Sequence, residues 1–215
     1  MYEIITGPLL WISFIVFMGG GLFKLLWMIK LAKKDRVVFP RMGLRYSPTS
    51  LFRWLVPFTS TNMKKRPFMT IGTFVFHISL IFTPLFLLSH NLLWHESWNI
   101  SWWCFPETLA DIMTVIVICS CAFFLLRRLV LPEVQLVTRA SDYVLLLIVL
   151  APFLTGFLAH HQWFGYKPML MAHILTGEIL LISIPFSRLT HMFLFFIAKA
   201  YMGSEFELLP YARSS

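Results

Sequence analysis

Long apolar runs separated by short polar stretches set the pattern of this chain. Five runs, at about residues 4–29, 68–94, 107–130, 142–163 and 169–198, each hold the roughly 20 residues that cross the hydrocarbon of a bilayer. Backbone N–H and C=O groups in lipid must be satisfied within their own segment, so each run is predicted to be a helix. The expected fold is an all-α integral membrane protein, a five-transmembrane-helix bundle forming a single membrane domain over 1–215. The first run is too long for the apolar part of a cleaved signal, and Met1-Tyr2-Glu3 lacks a basic leader, so an uncleaved anchor is expected.

Composition agrees: 58% of residues are hydrophobic and 13% charged, which excludes an ordinary soluble domain. A net charge of +8 would suggest nucleic acid in a soluble protein, but here its placement matters more. Lys30, Lys33, Lys34, Arg36, Arg41, Arg45, Arg53, Lys64, Lys65 and Arg66 follow the first run, and Arg127, Arg128 and Arg139 follow the third. The opposite connections carry only Lys167. Basic loops face the cytoplasm, so the N-terminus is expected outside and the C-terminus in the cytoplasm, as in a multi-pass protein of the bacterial inner membrane. Membrane lipid is an expected partner and nucleic acid is not. Trp94, Trp98, Trp102, Trp103 and Trp163 gather at the outer boundary, with Trp27 and Trp54 near the inner one. Within the basic cytoplasmic loop 31–67, residues 49–58 are read as a short interfacial helix, serving either lipid attraction or the docking of a cytoplasmic subunit. Cys104, Cys119 and Cys121 form no CxxC pair and are read as buried, inert thiols.

All seven histidines belong to the second, fourth and fifth runs and their outer ends. His173 and His191 bracket the last run. On a regular helix they are about five turns and about 27 Å apart on one face, one towards each side of the membrane. The second run crosses in the opposite sense. His77 therefore shares the inner level with His191, and His90 shares the outer level with His173. An imidazole from each of two facing helices at one depth is what a b-type haem requires, and two such levels make a path for electrons across the bilayer. A proton relay and plain interhelical hydrogen bonds compete with this reading. The spacing from His77 to His90 is about 3.6 turns, which sets their azimuths apart on an ideal helix; Pro84 lies between them, where a kink can rotate one half. His95 is the alternative outer ligand.

His173 with Gly177, then Pro185-Phe-Ser-Arg-Leu-Thr-His191, resembles the last helix of the gamma subunit of respiratory nitrate reductase, a five-helix di-haem cytochrome b. Phe76-His77-Ile78, Arg127-Arg128-Leu129 and Thr138 to Asp142 carry the resemblance through the other spans. The opening Met1 to Trp11 and the stretch Pro84 to Asn91 are more similar to the homologous membrane subunits of the transmembrane redox complexes of sulfate-reducing bacteria. The resemblance implies two haem b groups, His77 with His191 holding the inner one and His90 with His173 the outer. It also implies a place in a respiratory oxidoreductase complex, with periplasmic multihaem cytochrome c, cytoplasmic iron–sulfur subunits and other membrane subunits as partners. Two departures stand out. The second-span histidines are about one turn farther apart than in the nitrate reductase subunit. The lysine that subunit carries near its quinol site has no counterpart among Glu107 to Asp111.

Arg188, one turn before His191, is a candidate for pairing with haem propionates. Glu178 needs a partner or a proton at its depth, and with Lys167 marks a candidate quinone or proton site, menaquinone being the candidate quinone. The leading expectation is an electron-transfer subunit; quinol oxidation or quinone reduction beside the outer haem, and a haem-free membrane anchor, are the alternatives.

Overall fold

A computed structural model describes residues 2–34, 52, 55–196, 198 and 199, and all regular structure among them is helical. Among the described residues, five helices are long and apolar enough to cross a membrane: Tyr2–Leu31, Pro67–Phe86, Glu107–Val130, Ala140–His160 and Tyr166–Phe186. We label the elements α1 (Leu10–Lys33), α2 (Thr61–Lys65), α3 (Pro67–Phe86), α4 (Leu88–Trp98), α5 (Glu107–Val130), α6 (Pro132–Gln135), α7 (Ala140–His160) and α8 (Tyr166–Phe186). A π-helical stretch, Ile5–Leu9, precedes α1 and contains Pro8, whose missing N–H disturbs the regular ladder.

Two of the expected spans are not single helices. The run 68–94 breaks at Leu87, whose extended backbone (φ −73, ψ 130) separates α3 from α4. The run 169–198 stops at Phe186; Ser187 is extended (φ −124, ψ −174) and a 3₁₀ turn, Arg188–Thr190, follows. Each break follows a helical proline, Pro84 or Pro185, which removes one ladder bond and crowds the carbonyl four residues back. Regular five-turn spacing from His173 to His191 is therefore corrected: no continuous α-helix joins them. Half of the expected interfacial helix at 49–58 lies outside the described residues, as do Arg36, Arg41, Arg45, Arg53 and Trp54.

The chain divides into two compact units, Met1–Ile5 with Ile71–Leu180, and Thr6–Thr70 with Leu181–Ser215. In the first, α5 packs along α7. Phe76 of α3 meets Phe124 of α5 edge-on at 5.3 Å, and the hydroxyls of Thr155 on α7 and Thr176 on α8 lie 3.2 Å apart. Ala110, Met113, Val117, Cys121 and Val149 form the buried core there, while Ile112, Leu126, Leu129 and Leu147 are exposed. Such outward apolar faces suit hydrocarbon as solvent. In the second unit, a Cβ on Gly20 of α1 would lie 2.7 Å from Pro185, and one on Gly21 would lie 2.7 Å from the Phe193 ring. Small residues at this contact let the backbones approach, as membrane helices require in place of a hydrophobic driving force.

Candidate functional site

The break at Leu87 frees the last carbonyls of α3, and in lipid each needs a donor. His90 donates from Nδ1 to the Pro84 carbonyl at 2.8 Å, the Trp102 indole donates to Leu85 at 2.8 Å, and the Phe105 backbone N–H donates to Phe86 at 2.9 Å. The loop after α4 is pinned in turn by Asn91. Its amide donates to the Trp102 carbonyl and to Cys104 Sγ (2.7 Å), and it accepts from the Trp102 N–H at 3.3 Å. Breaking the helix thus places His90 and fixes its ring through one bond.

His173 is positioned from α7. Its Nδ1 donates to the Pro152 carbonyl at 2.8 Å. The ring reaches that carbonyl only because residue 156, one turn further along α7, is glycine: a Cβ there would lie 2.8 Å from Nδ1 and 2.9 Å from Cε1 of His173. Thr155 and Thr176 flank the same contact and satisfy themselves on helix carbonyls, Thr155 on Ala151 at 2.7 Å and Thr176 on Ala172 at 2.7 Å.

These two local devices bring His90 and His173 together. Their rings are near parallel, 15° apart, with centroids separated by 5.9 Å. That is too far for face-to-face contact. It is close to the roughly 6 Å expected when two imidazoles bind one metal from opposite sides through bonds of about 2 Å. Because a carbonyl can only accept, each Nδ1 must carry the proton, leaving each Nε2 as a lone-pair donor, the tautomer a metal ligand needs.

The other two candidates repeat the device. His77 Nδ1 donates to Thr73 O at 2.8 Å, and His191 Nδ1 donates to Arg188 O at 2.9 Å. His77 belongs to the first unit and His191 to the second. His95 differs: it is exposed, and among the described residues its side chain makes no hydrogen bond.

Glu178 is 2% exposed and both its carboxyl oxygens lack a hydrogen-bond partner among the described residues, as does Thr83 Oγ1 of α3. Lys167 is exposed in the first turn of α8. It stands about three turns before Glu178, so the structure does not bring those two candidates together. Arg188 is exposed in the 3₁₀ turn, and its carbonyl orients His191.

Gly156, the Pro152 carbonyl and Asn91 are positioning groups that the sequence alone did not reveal. Only glycine's occurrence inside a span gave any signal, because their roles depend on how closely two segments approach.

No family model matches this sequence, and no solved structure matches it. A protein of Nitratidesulfovibrio vulgaris, strain Hildenborough, whose name carries no functional term, is 38% identical over 213 residues, covering 97% of this chain and 94% of the relative. The chain belongs to the same family as that protein.

Proposed function

We propose that this chain is a di-haem cytochrome b subunit of a respiratory oxidoreductase complex in the bacterial inner membrane, similar to the nitrate reductase gamma subunit. Its N-terminus lies outside and its C-terminus in the cytoplasm, in keeping with the distribution of lysine and arginine. The observation that carries the reading is the His90–His173 pair: near-parallel rings 5.9 Å apart, both with Nδ1 tied to a carbonyl.

These residues fit a b-type haem. Such a group would supply one-electron transfer. His90 and His173 would hold the outer one. Gly156 and the Pro84 and Pro152 carbonyls fix their orientation and tautomer. The resemblance assigns His77 and His191 to the inner position, with Arg188 as the cation for propionates. With such groups bound, the chain would serve electron transfer across the bilayer between periplasmic multihaem cytochrome c and cytoplasmic iron–sulfur subunits, with further membrane subunits alongside and lipid around the apolar faces.

A second reading is favoured by one observation, the buried carboxyl of Glu178 five positions past His173, which has no hydrogen-bond partner among the described residues. A deep carboxyl group without a protein partner suits proton exchange with a quinone, menaquinone being the candidate, beside the outer pair.

The test is ligand replacement in the purified full-length protein, followed by pyridine haemochrome analysis and redox titration. His173→Ala should remove one haem and one step of the titration, and His191→Ala the other. Retention of both steps in either variant would defeat the pairing.

A further inference from the structure

The first unit contains a second cluster of ligating side chains, made of residues outside the histidine pair and unused by electron transfer. Asp111 lies in the second turn of α5, His160 is the last residue of α7, and His161 follows as its C-cap. His161 Nε2 lies 3.2 Å from Asp111 Oδ2, and His160 Nε2 lies 4.0 Å from Oδ1, so two adjacent histidines turn onto the two oxygens of one carboxylate. One ligand atom from each of the three lies within 4.8 Å of the others. We propose that Asp111, His160 and His161 form a divalent-metal site of the zinc type.

Four ligand atoms about 2 Å from a tetrahedral metal lie roughly 3.3 Å from one another. The Asp111–His161 distance already meets that, and His160, 4.0 Å from the carboxylate, must move closer to join. Its side chain, 50% exposed, has room to move. The backbone presses the two histidines together: the His161 N–H bonds Phe157 O at 3.1 Å, and the chain then turns through left-handed Gln162 (φ 57), Phe164 (φ 59) and Gly165 (φ 88). Phe157 packs at 4.3 Å and Trp163 at 6.0 Å from the His161 ring, giving the site an apolar wall. Two imidazoles and a carboxylate suit zinc rather than magnesium or calcium, which prefer an all-oxygen shell. Three protein ligands leave a fourth position to water, and the bound ion clips the start of α5 to the end of α7.

The test uses the full-length, haem-containing protein in detergent, with Zn²⁺ alone as the probe, titrated against a chromophoric chelator. About one zinc per chain should bind, and X-ray absorption should show two imidazole nitrogens around it. Asp111→Asn and His161→Ala should each weaken binding by at least about 100-fold, with the haem spectrum retained. Wild-type zinc affinity in a His160→Ala/His161→Ala double variant would overturn the proposal. So would a zinc shell with fewer than two imidazoles, a measurement that needs no variant.

Discussion

Replacing Gly156 by alanine asks whether the placement of His173 matters to the outer haem. The new methyl would sit 2.8 Å from His173 Nδ1, whereas ordinary contact begins at 3.4 Å, so ring or helix must give way by about 0.6 Å. A tightly packed interface shares such a shift poorly. Moving the ring away from α7 stretches its 2.8 Å bond to Pro152 O to about the 3.2 Å limit of a sound hydrogen bond or beyond. Losing a bond that orients a metal ligand costs about 10–100-fold in affinity, or roughly 1.4–2.7 kcal/mol. The assay is haem content and outer-step midpoint potential in purified protein, beside a Gly19→Ala control on α1, since a Cβ at 19 meets nothing within 4 Å. We expect substoichiometric or shifted outer haem in the first variant and wild-type behaviour in the second. Full occupancy and an unchanged potential in Gly156→Ala would refute the reasoning.

Other perturbations separate the remaining parts. Pro84→Ala lets the α3 ladder continue and moves His90 off its carbonyl, so the outer haem should be lost while the inner stays, as read by redox titration; His95→Ala should leave both. Asn91→Leu strips partners from the buried contacts with Trp102, each worth about 1–3 kcal/mol when left unsatisfied, and should lower thermal stability in detergent and loosen the outer haem. Glu178→Gln tests the quinone reading: a quinone analogue should shift the outer haem potential in wild type and not in the variant.

The helices were legible because lipid leaves the backbone no alternative, and α5 begins and ends at the expected residues, Glu107 and Val130. The breaks were only half legible. Pro84 marked a kink, but the actual departure comes at Leu87, where the freed carbonyls find His90, Trp102 and Phe105 as donors. That choice depends on a loop folding back, which no local pattern encodes. Pro185 gave the same warning for the last span, yet its even 173–191 spacing read as unbroken helix. What disappoints that reading is Ser187, whose hydroxyl caps Leu189 at 3.2 Å and starts a new turn. The same break turns His90 onto the Pro84 carbonyl with its ring 5.9 Å from that of His173, while His95 stays exposed. Gly156 and Asp111 were silent in sequence because each matters only through a residue on another helix.

Haem content bears most directly on the proposed function. Pyridine haemochrome analysis of the purified full-length chain should return two b-type haems per polypeptide, with a reduced spectrum typical of bis-imidazole ligation. Fewer than one haem per chain, in protein that is folded and membrane-extracted intact, would contradict it and leave the anchor reading in its place.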